Sequence, residues 1–452
     1  MQAQDIIASM PIRGEAFAFW RDRLAAGRLA VLARHLEAVR AGGVAGAEAF
    51  VPLAERLLGL PEAPRRDLAA TPEFGAWISE MRDRFERGGR TWSDAETESL
   101  LARAGQFLLL PLLRGDLAGP ERVPVPVVPG GLVAIPGTPV FFALGEGVRR
   151  ATCRAGAGGL DFAPEGAPAA AFTRAEVAAL LAGAGPEVSS LSGLAPGGYR
   201  LAELRQPGMY LGLPVNEMLS TSLVRMARAQ GAGDDPDSLM TFAADAGRFA
   251  GDVDEALGLV ERAWPEMAEA LALHTRFVAP ILSERVYSYS ELAAPNAVFL
   301  RATPQNPLWY VELLVHESCH NWLASLMELV PIIDATDERR FVSPWRADAR
   351  PLIGILFGTH AFAFVTLYLV RLLQHGTADA EVVGRRVAFE AERVSRGYAL
   401  LREEGRFTPA GSLFLDDLGR VVEEIEEGAA AHAHWAGGPE SSPLEAIWPT
   451  VT

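Results

Sequence analysis

His316, Glu317 and His320 stand in the stretch LLVHESCHNWLASL, residues 313 to 326. Four residues turn an α-helix through about 400°, so the two histidines fall about 40° apart on one face. Two imidazoles so placed can grip one ion. Glu317 lies about 100° round, near enough to touch a metal-bound water without displacing it. Histidine suits zinc and iron alike, so the HExxH pattern predicts a metal site without naming the metal. The bland alternative is a chance match in a chain with eight histidines. Apolar flanks and an upstream strand pattern favour the metal.

The pair needs a third ligand. His360 is the first choice, because it sits within an apolar run, LIGILFGTHAFAFVTLYLV, residues 352 to 370, where an unpaired polar ring is costly to bury. The alternative is a core histidine bonded to a backbone carbonyl. Asp334, Asp337 and Glu338 in the connecting segment, and Asp348, are rivals. Cys319 falls about 60° from His316 on the helix but reads as small apolar packing. His35, His274, His375, His432 and His434 read as structural. Ligands must be neutral imidazoles, so metal affinity should fall in acid.

Two chemistries fit. In a peptidase, zinc lowers the pKa of a bound water and Glu317 takes its proton. In an oxygenase, Fe(II) holds 2-oxoglutarate and dioxygen, usually between two histidines and a carboxylate. That second site needs a cation for the distal carboxylate of the keto acid, and arginine offers a bidentate fork. Arg346 and Arg350, in FVSPWRADARPLIGILFGTHAFAF, lie between the motif and His360. On spacing alone, two solvated loop arginines is an equal reading. A third reading is a non-catalytic peptide-binding protein whose metal is structural, closed by four protein ligands.

HESCH, followed by SPWRADARP and a glycine-led GTHAF segment, resembles the HExxH proteins encoded beside ribosomally synthesised, post-translationally modified peptides. The resemblance is specific over about residues 280 to 375. That family looks like a group of iron- and 2-oxoglutarate-dependent peptide β-hydroxylases. The resemblance implies metal ligation by His316 and His320, with His360 third. It implies Fe(II) and 2-oxoglutarate as cofactors and a precursor peptide as substrate. It also implies that Arg346 or Arg350 holds the co-substrate, and that Glu317 orients a ligand or binds the metal rather than acting as a base.

The elements around these residues are predicted as a mainly helical α+β fold, with a zincin-like core of a strand followed by the HExxH helix. Residues 1 to 115 read as helices, including FWRDRLAAGRLAVLARHLEAVRA and DAETESLLARAGQFLLLPLL. Residues 116 to 215 form a β-rich, irregular segment, in which the glycine clusters of RAGAGGLDFAPEGAPAAAF read as loops. Residues 216 to 452 form the metal-binding catalytic region. There DVDEALGLVERAWPEMAEALALH reads as one helix, and NAVFLRA, residues 296 to 302, as a strand. NAVFLRA reads chiefly as a core strand, and secondarily as an edge for an extended peptide. The motif helix should begin near Pro307 and the apolar helix near Pro351. Two more helices should follow, around 378 to 404 and 414 to 433. GGPESSP, residues 437 to 443, reads as a short loop.

Composition narrows the chemistry further. The 452 residues carry a net charge of −16, which argues against nucleic acid and against an anionic membrane surface. All 41 basic residues are arginine. Without lysine there is no Schiff-base chemistry, and neither a P-loop nor a protein-kinase site is expected. Two distant cysteines, Cys153 and Cys319, make no disulfide framework. The N-terminus lacks a basic segment followed by an apolar run, so a cytoplasmic protein is expected. The run at 352 to 370 is long enough to span a membrane, but its interior His360 and its isolation predict a buried core helix.

Overall fold

The computed structural model describes residues 8, 11, 13–87, 93–117, 122–156, 158–229, 246–283, 286–302, 306–334, 336–376 and 380–435. The loop expected at 437 to 443 lies outside the described residues.

The N-terminal region is helical, with α1 (Gly14–Gly42), α2 (Ala47–Leu58), α3 (Glu62–Ala69), α4 (Pro72–Arg82), α5 (Asp94–Ala102) and α6 (Leu109–Arg114). A capping box between Ser93 and Glu96 starts α5. The helix then tightens into 3-10 turns over Arg103–Leu108. Position 105 within it must be glycine: a Cβ there would meet the Pro124 carbonyl oxygen of the first strand at 2.1 Å.

The middle segment is β-rich, as its composition predicts. β1 (Arg122–Pro126), β4 (Arg150–Gly156), β5 (Gly159–Pro164) and β6 (Ala170–Thr173) form an antiparallel sheet in that order. β2 (Leu132–Ala134), β3 (Val140–Ala143), β7 (Glu187–Val188) and β8 (Gly197–Leu201) form a second sheet, ordered β2-β3-β8-β7. α7 (Arg174–Leu181) and β9 (Tyr210–Leu211) complete the segment. The glycine cluster predicted as loops is instead the closing end of the β4–β5 hairpin. Gly156 pairs with Gly159. Gly159 has φ +118°, and a Cβ there would meet the Phe172 carbonyl oxygen at 2.0 Å. Glycine serves close strand approach here, not looseness.

The C-terminal half holds α8 (Glu217–Ala229), α9 (Ala246–Ala263), α10 (Pro265–His274), β10 (Phe277–Ile281), β11 (Ser288–Tyr289), β12 (Ala297–Arg301), α11 (Pro307–Leu329), β13 (Arg340–Val342), β14 (Ala349–Pro351), α12 (Leu352–His375), α13 (Ala380–Glu404) and α14 (Pro409–Ala429). The run predicted as one helix breaks at Trp264, because Pro265 cannot continue a helical hydrogen-bond ladder and starts α10 instead. α14 begins at Pro409 rather than 414, because Thr408 caps it by accepting from Gly411 N.

β9, β10 and β12 run parallel, and β11 lies antiparallel on the outer edge of β12, giving the order β11-β12-β10-β9. β12 is therefore an interior strand, not an edge. The sheet joins residues on both sides of position 215. One apolar core runs from Trp20 to Ala429, and a second, within the first 180 residues, joins the N-terminal helices to the β-rich segment. Among the described residues α12 alone is long and apolar enough to cross a membrane. It packs as a core helix against α11, α13 and α14, with 72% of its most apolar window buried.

Candidate metal centre

β12 leads into α11 through Asn306 and Pro307. Asn306 Oδ1 accepts from Leu308 N at 3.0 Å, and Pro307 takes the first helical turn, where its missing N–H is no loss. Asn321 Nδ2 donates to the Ala297 carbonyl at 3.1 Å, tying helix to strand. Trp309, Tyr310, Leu314, Trp322 and Leu326 are fully buried, which fixes the rotation of α11 and the direction of its histidines.

His316 and His320 stand side by side, ring centroids 4.5 Å apart. Burial lowers His316 to about 4, and the charges of Arg346 and Arg386 push the same way. Burial also holds His320 well below the ordinary histidine range. Both imidazoles are therefore neutral near pH 7, the state a metal ligand must have. His320 Nδ1 is buried without a hydrogen-bond partner. The pair fits a zinc or iron ion.

Two phenylalanines of α12 flank the pair. Phe357 lies 5.4 Å from His320 and Phe362 lies 4.6 Å from His316, centroid to centroid. They are about 140° apart around their helix, and His360 falls outside that arc, about 60° beyond Phe357. The His360 ring packs on Phe364 at 5.1 Å and on Phe414 of α14 at 5.5 Å. It is fully buried, and its charge would act on both motif histidines. Among the described residues, no three His, Cys, Asp or Glu side chains converge as a metal cage. The structure brings His316 and His320 together, and His360 lies near enough for its charge to act on both while its ring packs on Phe364 and Phe414. Asp334 accepts from Thr336, Asp337 pairs with Arg339, Asp348 pairs with Arg350, and Glu338 is exposed. Cys319 is buried, and burial raises its thiol far above its usual value.

Glu317 is held by two hydroxyls that the sequence reasoning missed. Ser288 Oγ donates to one carboxylate oxygen at 2.6 Å and Ser290 Oγ to the other at 2.7 Å. Burial pushes Glu317 up to about 6, while both hydroxyls and Arg346 pull it down. The signal was available in YSYSE: residues two apart on a strand share a face.

β13 and β14 pair as a hairpin whose tip carries SPWRAD. Arg350 Nε forms an ion pair with Asp348 at 2.7 Å. Arg346 is exposed and forms no ion pair among the described residues, yet its charge acts on both His316 and Glu317. The neighbouring Trp345 anchors the tip. It stacks on Phe362 at 4.9 Å and 7°, and its Nε1 donates to Glu390 at 2.8 Å. Arg386 Nη1 donates to the other Glu390 oxygen at 2.7 Å. Arg386 also grips Glu312, one turn before His316, through Nε at 3.1 Å and Nη2 at 2.9 Å.

No protein-family model and no curated protein matches this chain. What the site can do rests on its own groups: two neutral imidazoles for a metal, a buried carboxylate between hydroxyls, and an exposed guanidinium for an anion.

Proposed function

We propose that the chain is an Fe(II)- and 2-oxoglutarate-dependent dioxygenase that hydroxylates a β-carbon in a ribosomally made peptide. Arg346 carries this reading: an exposed guanidinium without an ion pair among the described residues, near enough to His316 and Glu317 for its charge to act on both. The distal carboxylate of a keto acid needs such a cation, and a planar guanidinium can meet it with two parallel hydrogen bonds. His316 and His320 would hold the metal, with His360 the imidazole expected to complete the set. Glu317 would orient the centre from its serine pair rather than act as a base. Iron with 2-oxoglutarate and dioxygen supplies the oxidant when bound. Phe357 and Phe362 pack on the half-buried histidines, and Trp345 stacks on Phe362 behind them. Antiparallel β11 at the sheet edge, with the motif helix following β12, supports a zincin-like core. The reading implies a cytoplasmic enzyme with a precursor peptide as partner, and neither nucleic acid nor membrane.

The test is spectroscopic. Fe(II) and 2-oxoglutarate, mixed anaerobically with the protein, give a weak visible charge-transfer band. Arg346→Ala abolishes the band, while Arg350→Ala, whose arginine is already paired with Asp348, retains it. With dioxygen and the substrate peptide, product mass rises by one oxygen, about 16 Da. A colourless protein that shortens a peptide with zinc selects a peptidase instead, with Glu317 as base. Its value of about 6 suits that role.

A further inference from the structure

Two cavities meet where the N-terminal helices face the C-terminal half. The outer, about 930 Å³, lies between α4, α5, α8 and the segment following β11. The inner, about 280 Å³, is walled by Gly75 and Arg82, by Asn321 and Ala324 of α11, and by Phe357 of α12. Ser79, Glu291 and Leu292 line both, so the two form one groove. Phe357 stands at its inner end, and the same ring lies 5.4 Å from His320. The groove ends one aromatic side chain from the histidine pair.

We propose that this groove holds the peptide substrate as a neutral or basic extended segment, with one side chain in the inner chamber and the N-terminal helices as one wall. The proposal rests on the peptide-modifying reading above. The outer cavity alone is at the upper end of the size that serves a drug-sized ligand, so a small keto acid would leave most of it empty. Leu292, 62% exposed, offers an apolar contact on the rim. Beside it, Glu291 Oε1 is buried without a hydrogen-bond partner, while Oε2 accepts from Arg225 at 2.8 Å. A buried acceptor left unmet is unfavourable, and a peptide N–H or a cationic side chain would meet it.

Charge selects the kind of peptide. Arg103 is neutralised by Glu80 at 2.9 Å and Glu217 at 3.0 Å, and Arg225 by Glu291. With Asp83 and Glu96 on the same wall, carboxylates outnumber arginines five to three. Such a wall repels nucleic acid and acidic segments. The segment after β11 also links groove to centre. Ser288 and Ser290 hold Glu317, while Glu291 and Leu292 line the groove.

The experiment uses the metal-free full chain and two pools of fluorescein-labelled, unstructured peptides, equal in length and hydrophobicity, one net basic and one net acidic. Fluorescence anisotropy at low salt should show saturable binding of the basic pool and about tenfold weaker binding of the acidic pool. Leu292→Arg, on an exposed position that does not threaten the fold, should weaken the basic pool about tenfold by filling and charging the rim. The proposal is overturned if neither pool saturates, if the acidic pool binds better, or if Leu292→Arg binds as the parent does. Because no metal is present, this result and the iron–keto acid band stand or fall separately.

Discussion

Glu317 and Glu73 are both buried carboxylates whose pKa burial raises, and their surroundings separate them. Glu317 has a hydroxyl on each oxygen. Glu73 Oε2 has no hydrogen-bond partner, and the charge of Arg276 and backbone N–H groups only partly oppose the effect of burial. The folded state therefore holds the Glu73 proton more tightly than the unfolded chain does. Its contribution to stability is most favourable below the ordinary value of 4.5 and is lost as pH rises through the raised folded value. Glu73→Gln removes that titration. In urea denaturation the variant should be about 1 kcal/mol more stable than the parent at neutral pH, and no more stable well below the ordinary carboxylate pKa. An equal gain at both pH values would refute the burial account. At this scale the histidine pair was legible because its spacing fixes its geometry inside one helix. The rings packed around His360 were not. α12 is apolar on every side, so no periodicity points its polar residue anywhere. Packing of Phe357 and Phe362 on the motif, and of Phe414 on His360, decides the rotation.

Among the elements, the β13–β14 hairpin depends on charges buried far from it in sequence. Glu312, Arg386 and Glu390 are all less than 5% exposed, and with Trp345 they tie α11, α13 and the hairpin tip into one network. Trp345→Phe keeps an aromatic ring for Phe362 but removes the N–H that Glu390 accepts. The tip that carries Arg346 is then held less firmly. On the proposed iron and keto-acid reading, titration of the visible band should show 2-oxoglutarate binding about fivefold more weakly, near 1 kcal/mol, with iron affinity unchanged. An equal loss of both affinities would reduce the network to general support of the fold. The start of α11, the strand β12 and the apolar α12 were legible through caps, prolines and hydropathy. This network was not. Arg386 and Glu312 lie 74 residues apart, and charged side chains are read as solvated by default.

The whole molecule is joined at the far end of the motif helix. Arg28 of α1 is 1% exposed, and its guanidinium donates four hydrogen bonds across the N-terminal helices and α11. Nε and Nη2 donate to Glu328, in the last turn of α11, at 3.2 and 3.3 Å, and Nη1 donates to the Ala69 and Thr71 carbonyls at 3.2 and 3.1 Å. Gly75 makes room for it: a Cβ there would stand 2.5 Å from the guanidinium carbon. In the sequence Arg28 is one arginine of a helix with several, so nothing marked it as a rivet between regions. Arg28→Met would remove a donor from two carbonyls and from a half-buried carboxylate, although the Thr71 carbonyl keeps its bond from Gly75 N, costing about 2–4 kcal/mol. Gly75→Ala should cost less, by displacing the same guanidinium. Because both act on one contact, the double variant should be scarcely less stable than Arg28→Met alone, a coupling that urea midpoints at constant slope would measure. Additive losses would mean that Gly75 matters for another reason. Trp20 and Leu24 of α1 share a core with residues as distant as Ala429, so each variant should still unfold in a single transition. Two separated transitions would instead show the N-terminal helices folding as an independent unit that merely leans on the C-terminal half.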